Sequence, residues 1–129
     1  MAVDTALTPS LTLRLDDDLA GAPARGVERA VDDASLREAA DLLLVAPSAL
    51  RDVGTDVWLL RSGAHALSAL VAERDADTVA ITAIAATHVE PLLRAVLGHY
   101  ALEGAQSATV AAPGGADGAL RRLGFRPLS

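Results

Sequence analysis

One stretch constrains the fold more than any other: residues 78–100, TVAITAIAATHVEPLLRAVLGHY. Thr78 to Ala86 is a short apolar run with β-branched residues, bounded by the turn-forming RDAD at 74–77, and predicts a buried strand. Leu92, Leu93, Val96, Leu97 and Tyr100 then recur at helical spacing, predicting a helix over 89–103 that ends at Gly104. Only Thr87 and His88 separate the two elements, and neither is glycine. With a further strand expected at 107–112, the order strand–helix–strand fits an α/β class. The short connection also limits what the helix start can bind.

The remaining segments fit that architecture. LTLRL, from Leu11 to Leu15, alternates like a half-buried strand, and residues 16–26 are loop-like, with DDD at 16–18 followed by Gly21, Pro23 and Gly26. Residues 27–31 form a short strand. In the helix that follows, Asp32, Asp33 or Ser35 provides the cap, and Ser35 with Glu38 has capping-box spacing. Its apolar face is Leu36, Ala39, Ala40, Leu43 and Leu44, and Pro47 ends it. Strands are expected at 56–62 and 65–73 around a turn at Ser62-Gly63-Ala64, and again at 107–112. PGGADG at 113–118 is a loop, 119–123 a short helix and 124–128 an extended end. Residues 1–26 form an N-terminal extension, and 27–129 the main domain.

Composition excludes several function classes. The 129-residue chain suits one domain. Its net charge of −6 argues against a phosphate-tracking nucleic-acid surface, which needs clustered basic residues. With no cysteine there is no disulfide, thiolate metal site or thiol nucleophile. The opening MAVDTALTPS lacks the basic and apolar regions of a secretory signal, and the uncharged run from Thr78 to Val89 is too short to span a bilayer. A cytoplasmic protein, with no nucleic-acid or membrane partner, is expected from an acidic chain rich in alanine.

The order of elements, with its ending ALRRLGF, resembles the GCN5-related N-acetyltransferase (GNAT) fold. VERAVDDASLREAADLL is similar to that family's first strand and helix, and VEPLLRAVLGHYALEGAQSATV to its central helix and next strand. The resemblance covers residues 27–128 and implies an α/β (α+β) fold, a mixed, twisted sheet with helices on both faces. It implies acyl-coenzyme A as donor, its pyrophosphate held by a glycine-rich loop before the central helix. Backbone amides and the positive end of a helix dipole attract such an anion, and glycine lets the backbone approach it.

Here that loop is missing. Thr87 and Glu90 instead have the spacing of a capping box, and Pro91 lacks an N–H, so the helix start is expected to cap itself. Glu90 places a negative charge where the pyrophosphate would lie. The resemblance also implies a tyrosine acid just before the Gly124-Phe125 pair, where Leu120 stands, and an asparagine near Pro113. Strand 78–86 carries no carboxylate, only Thr78 and Thr82. These departures predict a non-catalytic pseudoenzyme acting through protein association, as a homodimer or with another protein, with no cofactor. If acyl-coenzyme A does bind, as in an N-acyltransferase with an atypical donor site, Ala85, Ala86, Thr87, His88 and Val89 would form the site. A third reading is a small-molecule slot lined by Ala85, Ala86, Ala111 and Ala112.

Other polar residues carry less. His65, His88 and His99 lack metal-ligand spacing. His88 and His99 stand about 16 Å apart along a helix at 1.5 Å per residue, so surface or packing roles are expected and no metal site is assigned. His88, at the mouth of the cleft, is the one to watch. Glu73 reads as a solvated strand end rather than a base, DDD as a loop or cap, and the glycines of 114–118 as a turn lacking the lysine of a P-loop. Trp58 and Tyr100 read as packing residues. Leu11, Leu13 and Leu15 share one side of a strand that must join a sheet edge, in its own domain or in a second chain.

Overall fold

The computed structural model describes residues 11–15, 26–50, 55–85, 87–110 and 117–127. In chain order the elements are β1 (Leu11–Arg14), β2 (Val27–Arg29), α1 (Asp33–Leu43), a 3-10 turn (Pro47–Leu50), β3 (Thr55–Ser62) and β4 (His65–Asp75). They continue with β5 (Thr78–Ile84), α2 (Val89–Leu102), β6 (Ser107–Val110), α3 (Asp117–Leu123) and β7 (Arg126–Pro127). One seven-stranded sheet has the order β2-β3-β4-β5-β6-β1-β7. All pairings are antiparallel except β5 with β6, which run parallel from Thr78↔Ser107 to Ile81↔Val110. That parallel pair is the one α2 connects, as a strand–helix–strand unit requires.

Helices cover both faces, as expected. On one face α2 and α3 pack Leu92, Leu93, Val96, Leu97, Tyr100 and Leu120, joined by Phe125 just after α3, onto Trp58, Leu60, Leu70, Val79, Ile81, Ala108, Val110 and Leu11. Each fully buried Leu or Val there contributes about 1.5–3 kcal/mol through removal from water. On the other face α1 sets Leu36, Ala39 and Ala40 against Val57, Leu59, Ala69 and Val71. The alternation of β3 and β4 between these two cores is why both strands are almost wholly apolar along their centres.

Three local expectations need correction. The Ser35–Glu38 capping box does not form: Asp32, one of the three cap candidates, caps α1, accepting from the Ser35 amide at 2.8 Å, and Glu38 receives two hydrogen bonds from Arg61, at 2.6 and 3.0 Å. A guanidinium fork offers more to a carboxylate than one backbone amide. Leu44 does not belong to the apolar face of α1. It follows the last helical residue in left-handed conformation (φ 60°) and is 91% exposed. Strand β5 ends at Ile84, although the Ala85 amide still bonds to the Ala69 carbonyl at 2.9 Å. Of the two partners left open for β1, its own domain or a second chain, β1 takes its own domain. It lies inside the sheet, paired with β6 through Leu11↔Val110 and with β7 through Thr12↔Arg126.

Two glycines are required by geometry. At Gly26 (φ 79°) a Cβ would stand 2.6 Å from the Arg61 carbonyl oxygen, which accepts no such approach, while the Gly26 carbonyl takes the Arg61 amide. Gly104 (φ 97°) closes α2, its amide bonding to Ala101 and that of Ala105 to Tyr100. No helix among the described residues is long and apolar enough to cross a membrane.

Candidate functional site

The short β5–α2 connection, together with α3, builds a small cleft. His88, Val89, Glu90 and Pro91 line one side, and Gly118, Ala119 and Arg122 the other, around a volume of about 270 Å³. This is slightly below the roughly 300 Å³ at which ligand pockets usually begin. It stands where the resemblance places the donor's pyrophosphate. Of the five residues named above for an atypical donor site, His88 and Val89 line the cleft and Thr87 is exposed beside it. Ala85 is buried in the sheet margin, and Ala86 lies outside the described residues.

The helix start is not capped as the Thr87–Glu90 spacing suggested. His88 occupies the N-cap in left-handed conformation (φ 52°, ψ 30°), and its own side chain makes no capping bond to the first amides. Thr87 is therefore displaced from the cap by one residue, and Glu90 turns elsewhere. The Glu90 carboxylate accepts from Arg122 Nε at 2.9 Å and lies 3.6 Å from Arg94 Nη2. The hydrogen bond from Arg122, with smaller help from Arg94, holds its carboxyl below the usual carboxylate range. Pro91 removes one of the four amides a helix start leaves open, so those of Val89, Glu90 and Leu92 remain. Glu90 itself supplies the negative charge their dipole favours.

Chemistry for acyl transfer is sparse around this cleft. Leu120, at the position the resemblance gives to a tyrosine acid, is fully buried and has no proton to donate. Among the described residues that line the cleft, the imidazole of His88 is the one ionisable group besides Glu90 and Arg122. Glu73 stands opposite Ala80 near the start of β5, toward the end of the sheet away from the cleft. Pro113, Ala111, Ala112 and DDD at 16–18 lie outside the described residues. Of the proposed alanine slot only Ala85 is described.

A second polar cluster, missed in the sequence, occupies the far end of α2. Tyr100, 1% exposed, donates to Asp56 Oδ2 at 2.5 Å and accepts from Trp58 Nε1 at 3.2 Å. Burial, then the Asp56 bond, pushes the Tyr100 hydroxyl well above its usual range. Asp56 also accepts from Arg29 at 2.6 Å, and the Arg29 guanidinium lies 5.9 Å from the Trp58 ring. His99 packs on Trp58 with centroids 5.0 Å apart, in line with its expected packing role. Trp58 and Tyr100 are core residues as expected, with polar tips satisfied by each other and by Asp56. Among the described residues no group of three His, Asp or Glu side chains is placed to hold a metal.

No protein-family model matches the sequence, and no curated protein matches it. Solved structures do. A GNAT-family protein from Novosphingobium aromaticivorans is 16% identical over 93% of this chain and 60% of its own, with a TM-score of 0.66. A GCN5-related N-acetyltransferase from Kribbella flavida is 17% identical over 92% of this chain and 53% of its own (TM-score 0.64). One from Sphaerobacter thermophilus is 14% identical over 93% of this chain and 48% of its own (TM-score 0.64). This chain thus spans roughly half to three-fifths the length of these three proteins. Its own fold is that of the GCN5-related N-acetyltransferases.

Proposed function

We propose that this domain keeps the acetyltransferase fold without its chemistry, and acts as a non-catalytic pseudoenzyme through protein association. The observation that carries this reading is the Glu90–Arg122 bridge. A carboxylate of the protein lies at the start of α2, and the cation across the cleft is already paired with it. An incoming pyrophosphate would have to break that pair and would then meet the charge of Glu90 at close range. The buried Leu120 adds that no tyrosine is present there to protonate a leaving thiolate. Thermal shift tests this: acetyl-CoA, CoA and desulfo-CoA are each expected to leave the Tm unchanged, and a rise of several degrees with acetyl-CoA at micromolar concentration would refute it.

A second reading, acyl-CoA-dependent N-acyl transfer from an atypical donor site, is favoured by one observation. The N-cap His88 gives the α2 amides no side-chain cap, and Glu90, Arg94 and Arg122 together carry a net charge of +1 (one carboxylate against two guanidinium groups). Under that reading Glu90→Gln releases Arg122 to the ligand and tightens donor binding. Under the first it does not create binding in the micromolar range.

A further inference from the structure

The half of the sheet formed by β5, β6, β1 and β7 has one face that no described helix covers. Val79, Ile81, Ala108, Val110 and Leu11 point into the core beneath α2 and α3, so the alternate residues point to the opposite side. There α1 sits over β3 and β4. Thr78, Ala80, Ser107, Thr109 and Thr12 are left partly exposed, and Thr82, Arg14 and Arg126 fully so. The register arranges these side chains in transverse rows. One row runs Glu73–Ala80–Thr109–Thr12–Arg126 across five strands, and a second runs Asp75–Thr78–Ser107–Arg14 across four. Directly opposed residues share a face, so each row begins with an exposed carboxylate and ends with an exposed guanidinium. At about 4.8 Å per strand the first row is roughly 19 Å long.

We propose that this face is a docking surface for a second copy of the chain. It rests on the association reading above and gives it a partner. The charge order identifies the occupant. A two-fold axis lying in the interface and running along β6 sets Thr109 near its counterpart, and reverses each row against itself. The Glu73–Asp75 margin of one copy then lies over the Arg126–Arg14 margin of the other, twice per dimer. Between the margins the side chains are small, so two sheets approach closely in the aligned packing that sheet faces adopt. Three of their hydroxyls are already partnered within the sheet. Thr12 Oγ1 donates to the Ala108 carbonyl at 3.2 Å, and the Thr78 and Ser107 hydroxyls are 3.3 Å apart. Covering them therefore strands few polar groups. Complementary charge of this kind sets partner and register more than raw affinity.

Sedimentation velocity over a concentration series tests the surface with the full chain. The wild type is expected to dimerise, and both Glu73→Arg and Arg126→Glu to weaken the dimer at least tenfold, because each sets like charges face to face. The double variant Glu73→Arg with Arg126→Glu restores the pairing with its sign reversed and is expected to recover the dimer. Circular dichroism confirms that each variant folds, as exposed strand-end positions allow. A wild type that stays monomeric overturns the proposal. So does a dimer that neither single exchange weakens, or one that the double exchange fails to restore; both leave association by another surface intact, and none of these outcomes depends on donor binding.

Discussion

Arg122 on α3 donates through Nε to Glu90 in the first turn of α2 at 2.9 Å, and this contact ties the two helices across the cleft. Thirty-two residues separate the partners. One bond thereby occupies the cation, places a carboxylate at the helix dipole, and narrows the space in which a donor would lie.

The same bond shapes the acid limb of stability. Arg122 lowers the Glu90 carboxyl, Arg61 lowers Glu38, and the Ser35 amide lowers Asp32. A carboxyl depressed in the folded state stabilises it above its ordinary pKa, and that contribution is lost as pH falls toward the folded value. The ordinary values are 4.5 for both glutamates and 3.8 for the aspartate. Stability is therefore expected to hold steady down to about pH 5 and to fall below about 4.5. Urea unfolding at stepped pH checks this, with Arg122→Ala showing a shallower acid decline; an acid limb identical in the variant would remove Arg122 as its cause.

Tyr100 governs the alkaline limb. Its hydroxyl is raised in the folded state, so the stability it contributes is present below about pH 10 and is lost as pH rises above it. Tyr100→Phe leaves Asp56 short of a donor and the Trp58 N–H without an acceptor, at a cost of about 1–3 kcal/mol near neutral pH. The variant is also expected to flatten the alkaline decline. Unchanged midpoints at pH 7 would show that the Trp58–Tyr100–Asp56 chain does not hold this end of α2.

Leu44 is a site where the native residue is unfavourable. A fully exposed leucine in left-handed conformation carries a backbone penalty of roughly 1 kcal/mol that glycine avoids. Leu44→Gly is expected to raise stability by a few tenths to about 1 kcal/mol, read as a higher urea midpoint. A lower midpoint would mean that Leu44 is packed against something in solution.

Thr87 shows where the sequence was misleading. Its three-residue spacing to Glu90 matches a capping box, yet His88 takes the cap and Glu90 bonds to Arg122. Thr87→Ala is accordingly expected to change stability by less than about 0.5 kcal/mol; a loss near 1 kcal/mol would restore the capping role.

That pattern is general for this chain. Elements with strong periodicity were legible to within a few residues: α2 with its buried Leu93, Val96, Leu97 and Tyr100, the β3–β4 hairpin about Gly63, and the parallel neighbours β5 and β6. His88 was legible as a cleft residue because it closes a connection too short to place it elsewhere. The long-range partnerships were not. Glu38 with Arg61, Glu90 with Arg122, and Asp56 with Tyr100 join residues 23, 32 and 44 positions apart. For Glu38 and Glu90 a guanidinium outside the local window prevailed over the nearby amide. The placement of β1 between β6 and β7 was open for the same reason, since an alternating strand reveals its faces but not its neighbours.

Isothermal titration calorimetry with acetyl-CoA and the full chain at neutral pH tests the central claim most directly, because it measures the donor site itself. The expected result is no binding tighter than about 1 mM for the wild type, equivalent to less than about 4 kcal/mol, with any gain in Glu90→Gln stopping short of the micromolar range. A micromolar dissociation constant in the wild type, lost in Arg122→Ala, would contradict the account and establish the cleft at His88–Glu90 as a working donor site.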